Sequence, residues 1–138
     1  MTRTIIATER APQPFGHYSQ AILAGGLVFV AGQLGVDPVS RTVVEGGVGA
    51  QTERALRNIV AVLETAGSGL DKIVRCGVFL KDMADSTVMN ETYARFFPSE
   101  SPARTTVGVA RLPQDVLVEI DAIALAPSAD ETRERTSR

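Results

Sequence analysis

The sequence predicts an α+β fold in a single domain: a mixed sheet of six strands with two helices on one of its faces. Three observations predict it. Segments 48–66 and 85–97 carry apolar residues at helical spacing, whereas six other segments alternate with the period of a strand. The elements follow in the order β-β-β-α-β-α-β-β, so the helices interrupt the strands rather than forming a layer of their own. The chain has 138 residues, a length that one hydrophobic core serves.

Taken in order, the first strand is predicted at 3–7, followed by a proline-containing linker through Pro12 and Pro14. Strands at 21–23 and 27–31 form a hairpin closed on Gly25-Gly26, a two-residue turn signal. Residues 32–47 read as a loop, with turn chemistry at Asp37-Pro38 and Gly46-Gly47. The helix at 48–66 aligns Thr52, Ala55, Leu56, Ile59, Leu63 and Ala66 on one stripe, and Gly67 stops it. The strand Ile73–Leu80 is apolar on both faces, which predicts a central strand covered on both sides.

The helix at 85–97 turns Val88, Met89, Thr92, Tyr93 and Phe96 inward, with Asp85 or Ser86 as its cap and Pro98 beyond its end. Strands at 103–109 and 116–125 close the domain, 1–127. The polar segment 128–138 has the composition of a disordered tail. On the last strand Val116, Val118, Ile120, Ala122 and Ala124 share one side, and Leu117, Glu119, Asp121, Ile123 and Leu125 the other. Three of those last five are large and apolar, more than a solvated face carries, which predicts association with further copies of the chain.

Composition narrows the function. Formal net charge is −2, which leaves no strong electrostatic case for nucleic acid, a ligand that generally wants a basic face. No run of about 18 apolar residues is present, so no membrane span is expected. The first residues, Met1-Thr2-Arg3-Thr4, lack an apolar signal segment, and a single cysteine, Cys76, suits a reducing compartment, so a cytoplasmic protein is expected. One histidine, His17, cannot supply a usual zinc ligand set, and the Gly-Gly pairs lack phosphate-loop spacing, so neither a metal nor another cofactor is expected.

The chemistry-bearing residues sit in the last two strands. Arg104 carries a fork of donors that matches a carboxylate, and an acid nearby can hold and polarise a water. Arg104 and Thr106 share one strand face, and Glu119 and Asp121 another. If the two strands pair antiparallel with Thr106 opposite Glu119, Arg104 falls opposite Asp121, and all four gather on one face. The plainer alternative is a cross-strand ion pair that only sets register.

Several ordered motifs carry a family resemblance. Phe15-Gly16-His17-Tyr18-Ser19-Gln20-Ala21, Val30-Ala31-Gly32-Gln33-Leu34 and Val78-Phe79-Leu80-Lys81-Asp82-Met83 are similar to the Rid proteins, the YjgF-type reactive intermediate deaminases. So are the run from Val88 to Phe97, Pro102-Ala103-Arg104, Val109-Ala110-Arg111-Leu112-Pro113 and Val118-Glu119-Ile120-Asp121-Ala122. The resemblance implies a chorismate-mutase-like fold, a homotrimer with clefts between subunits, and cofactor-free hydrolysis of imine and enamine acids to 2-oxo acids and ammonia. It implies that Arg104 binds the substrate carboxylate, that Glu119 rather than Asp121 positions the water, and that Tyr18, Asn90 and Gly32 border the ligand. The sequence departs from the common pattern at His17 for proline, Ala31 for serine and Thr106 for cysteine, so Ala31 and Thr106 bear on substrate choice.

Other readings attach to the same residues. A trimer that binds a 2-oxo acid or amino acid and regulates a partner needs the arginine but not the water. A mutase acting on a dianion needs a second arginine, for which Arg75 and Arg111 are the candidates. Cys76 lies with Val74 and Val78 on an apolar face, as a buried inert thiol would.

Overall fold

The structure, a computed structural model, describes residues 2–128 and 130–132. Six strands form one sheet: β1 (Thr4–Ile6), β2 (Ala21–Ala24), β3 (Leu27–Leu34), β4 (Ile73–Leu80), β5 (Ala103–Gly108) and β6 (Val118–Leu125). The two helices are α1 (Gly47–Thr65) and α2 (Ser86–Phe96). Strand order across the sheet is β1-β2-β3-β6-β4-β5, antiparallel throughout except for the parallel pair β4–β5.

This order explains why both helices lie on one face. Strands β3 and β4 run the same way with β6 between them, so α1 and α2 are both crossovers between parallel strands. Both connections step across the sheet in the same direction, and the right-handed rule then puts them on the same side. Strand β6 fills the gap that the first crossover leaves.

The hairpin forms as its glycines dictate: Gly25 and Gly26 have φ of 60° and 79°, the positive values of a type I′ turn. Helix α1 buries the whole predicted stripe, Thr52 through Ala66, against β3 and β6. It also buries Asn58, whose Nδ2 donates to Leu34 O (3.1 Å) and Val36 O (3.0 Å) and so ties the end of β3 to the helix. On β6 the Val118, Ile120, Ala122 and Ala124 side is fully buried, as alternation predicts, and the Glu119 side is half-exposed.

Four details differ from the sequence expectation. Strand β6 pairs with β4, not β5, because the connection from Gly108 to Val118 carries the chain past β4 instead of turning back on itself. Strand β4 is buried only on its Cys76, Val78 and Leu80 side; Val74 is exposed and Phe79 half-buried in the single chain. Helix α2 is entered through a 3₁₀ turn at Met83–Asp85, so the capping carboxylate is Asp82, accepting from Ala84 N (2.9 Å), rather than Asp85 or Ser86. That lead-in leaves Val88 exposed while Met89, Thr92 and Tyr93 are buried.

The tail expected to be disordered falls outside the described residues at 129 and 133–138; at 130–132 the chain makes a helical turn, with Thr132 N donating to Ser128 O (2.9 Å). No helix among the described residues is long and apolar enough to cross a membrane.

Just past β3, Gly35 lets the backbone of α1 approach closely: a Cβ there would lie 2.5 Å from Gln51 Cα. Backbone cannot swing aside as a side-chain tip does, so Gly35→Ala should cost about 2 kcal/mol, the scale of core overpacking. Urea unfolding checks this, with an unchanged midpoint counting against the packing described.

Candidate functional site

The residues singled out from the sequence fall into two groups, and the sheet separates them. Cross-strand partners point the same way, so Arg104 shares a face with Cys76 and Ala122, the helix-covered side. Glu119, paired with Phe79, and Asp121, paired with Gly77, project from the other side. The expected register of Arg104 opposite Asp121 and Thr106 opposite Glu119 is therefore replaced by opposite faces with β4 in between.

The first group surrounds Glu119. Its carboxylate lies flat over Gly32, where a Cβ would be 2.6 Å from Oε2. Asp121 repeats the device over Gly77: a Cβ there would lie 2.5 Å from its Oδ1, which accepts from Gly77 N (2.8 Å) and lies 3.9 Å from Arg75 Nη1. Burial first, and the neighbouring Asp121 charge second, push the Glu119 carboxyl above its ordinary range. Both disfavour the charged form, and no cation lies within ion-pair distance of Glu119 among the described residues.

Glu119 opens into a cavity of about 240 Å³ that also takes in Tyr18 and Gly32, with carbon-rich walls from Phe15, Val36 and Pro113. The tyrosine is held by a compact turn: Tyr18 N donates to Gly16 O (3.0 Å), and Tyr18 Oη accepts from Phe15 N (3.1 Å). Gln20 anchors that loop from beneath, its buried amide accepting from Thr8 N (2.7 Å) and donating to Pro12 O (2.8 Å). Ala31 N donates to Gln20 O (2.9 Å), which places Ala31 beside the Tyr18 loop, in an adjoining open depression that His17 also borders.

The second group surrounds Arg104. Its Nη1 donates to Asn90 Oδ1 (2.8 Å) on α2, and its Cζ lies 4.6 Å from the centroid of the Tyr93 ring. Among the described residues no carboxylate pairs with it. Thr106, two residues along the same strand face, borders the same shallow cleft, and its Oγ1 is buried with no hydrogen-bond partner among the described residues. The arginine is exposed and touched by neutral groups, which leaves its charge unneutralised.

Tyr93 is the residue whose place at the site sequence reasoning missed, because its helical spacing assigns it to the core stripe. The available signal was its position three residues after Asn90, one turn along the same helix face. Cys76 is buried beneath this group, and burial pushes its thiol up, away from nucleophilic use. No cluster of three metal-binding side chains occurs among the described residues.

Comparison with known proteins shows the family. Residues 8–126 match the profile of the family described as endoribonuclease L-PSP. The chain belongs to that family. Its relatives include a RutC family protein of Pyrococcus horikoshii, 50% identical over 122 residues and covering 88% of this chain and 97% of the relative. Another is the 2-iminobutanoate/2-iminopropanoate deaminase of Bos taurus, 42% identical over 125 residues and 91% of each chain. Among solved structures, E. coli TdcF with bound serine superposes with a TM-score of 0.85 at 38% identity, over 88% of this chain and 98% of that one. The Rid resemblance and the chorismate-mutase-like fold are thereby shown for this L-PSP family member.

The raised Glu119 carboxyl has a stability signature. The folded state holds its proton more tightly than the unfolded chain does, so the contribution is fully present below about pH 4.5 and lost as pH rises through the raised value. Glu119→Gln, neutral and of the same shape, should melt above the wild type at pH 7 and level with it at pH 4. An equal difference at both pH values would show that the carboxylate is not disfavoured by folding.

Proposed function

We propose that this L-PSP family protein hydrolyses reactive imine and enamine acids, such as 2-iminobutanoate and 2-iminopropanoate, to 2-oxo acids and ammonia, at sites completed between copies of the chain. One observation carries the reading: an exposed arginine without an acidic partner among the described residues, and a half-buried acid beside a cavity, occupy opposite faces of one sheet. Neither half suffices for the reaction, and a single copy cannot bring them together. The deaminase of Bos taurus supports the chemistry, and the serine held by TdcF supports a small amino-acid-like ligand.

In this mechanism Arg104 of one copy takes the substrate carboxylate, with Asn90 and Thr106 beside it. Tyr18, Gly32 and Glu119 of the next copy close over the imine. Glu119 holds a water and accepts its proton as the oxygen attacks the imine carbon. A carboxyl with a raised pKa then returns that proton to nitrogen with little driving force needed in either direction. The resulting carbinolamine expels ammonia and leaves the 2-oxo acid. Tyr18, whose Oη accepts from Phe15 N, keeps its own O–H free to donate to the departing nitrogen. The imine carbon is electrophilic already, so the residues need only orient, deprotonate and reprotonate.

The uncovered sheet face supports assembly, since Ile5, Phe29, Val74 and Leu125 are exposed on the single chain. A contact that joins one face of a copy to a different face of the next is heterologous, the kind that builds a ring where the rotation closes, which suits the homotrimer the family resemblance implies. The reaction is placed in the cytoplasm, consistent with the free Cys76. With a net charge of −2, a ribonuclease reading drawn from the family description has less electrostatic support. The serine-bound relative gives the second reading its observation, a trimer that binds amino or 2-oxo acids for regulation.

Generating 2-aminoacrylate in situ with a serine dehydratase and following 2-oxo acid release separates the two. Arg104→Ala and Glu119→Gln should each lose at least about 100-fold in rate, the scale of a removed acid-base group. Unfolded and refolded together, the two inactive variants should regain part of the activity, because some mixed assemblies join one intact arginine to one intact acid. Absence of any wild-type acceleration, with 2-oxo acids still raising Tm, would favour the binding reading.

A further inference from the structure

Arg104 rises from an edge strand and is exposed, a setting in which an arginine normally samples many rotamers. Here α2 catches it twice, by the bond from Nη1 to Asn90 Oδ1 (2.8 Å) and by the Tyr93 ring 4.6 Å below Cζ. The ring is itself fixed. Tyr93 is 4% exposed, and its ring packs on Phe97 with centroids 4.7 Å apart and planes inclined by 43°. Its hydroxyl is buried against the Cys76 thiol, and burial pushes the phenol's pKa well up. What the position supplies is therefore the face of the ring.

The type of contact matters. A carboxylate partner would immobilise Arg104 equally well, but it would occupy the in-plane N–H fork that a ligand carboxylate needs. An aromatic ring attracts the guanidinium through its face and leaves the in-plane donors free. Asn90, a neutral amide, takes one donor and leaves the charge unneutralised. Ordering the side chain at folding also removes that entropy loss from the binding step.

We propose that Tyr93 is a positioning residue, whose ring, braced by Phe97, sets the plane of the Arg104 guanidinium and presents its free edge as a fork for the substrate carboxylate. The inference rests on the reading of Arg104 as the carboxylate site.

The test compares Tyr93→Phe and Tyr93→Leu with the wild type by two readouts. The first is the Kd for 2-oxobutanoate by calorimetry, alongside KM and kcat for the imine. The second is ¹⁵N relaxation of the Arg104 Nε, identified by its loss in Arg104→Lys. Tyr93→Phe should keep wild-type values, since the ring remains. Tyr93→Leu should raise Kd and KM about tenfold, the scale of a partly desolvated cation–π contact, while kcat changes less and the Nε signal becomes mobile.

A Tyr93→Leu protein with wild-type Kd and a rigid Nε would overturn the inference, as would equal losses in both variants. Should Tyr93→Leu fail to fold, the wild-type relaxation still decides: a mobile Arg104 Nε refutes the positioning role even in an active enzyme. A rigid Nε released by loss of the ring, in a protein that neither binds 2-oxo acids nor hydrolyses imines, would uphold the stack and remove the functional reading instead.

Discussion

Everything about this site depends on the alternation of side chains along β6 and on the strand's place between β3 and β4. With one side of β6 packed under α1, the other side must carry Glu119 and Asp121 onto the face that no helix covers. Strand β5 is reached through the crossover helix α2, and its Arg104 side faces that helix. Acid and arginine are therefore consigned to opposite faces by the same rule that builds the core. A small domain with one sheet cannot evade this, and in the proposed function a second copy supplies the missing half.

The two halves solve different problems with different materials. On the open face glycines do the work, since only a missing Cβ lets Glu119 lie over Gly32 and Asp121 over Gly77. Lying flat costs the carboxylate part of its hydration, and the adjacent charge adds to that cost, which is why Glu119 holds its proton more tightly than a free side chain. On the helix-covered face the need is for a full positive charge held still. Neutral partners, an amide and a ring, meet it without quenching the charge.

The loop that carries Tyr18 shows how little is spent on holding it. A buried glutamine, Gln20, bonds the backbone at Thr8 and Pro12, and one tyrosine hydroxyl folds the loop back on Phe15. His17, exposed, is the central residue of the turn in which Tyr18 N donates to Gly16 O. Thr106, on the strand face of Arg104, has a buried hydroxyl with no hydrogen-bond partner among the described residues.

The sequence by itself determined the elements, because their signals are local: the periodicity of α1, the Gly25-Gly26 turn and the two unlike sides of β6 each depend on neighbouring residues. It also singled out Arg104 and the acids Glu119 and Asp121 through residue chemistry and strand parity, and Tyr18, Asn90, Gly32 and the choice of Glu119 over Asp121 through motif resemblance. What only the tertiary structure decided was which strands are neighbours. Sequence order suggests that the last two strands pair, but the parallel crossovers reserve the place beside β5 for β4, and β6 enters the gap beyond it. Strand adjacency is set by long-range packing, which leaves no periodic trace in the chain. The division of the site across the sheet, and the ring of Tyr93 beneath Arg104, follow from that packing and could not be read without it.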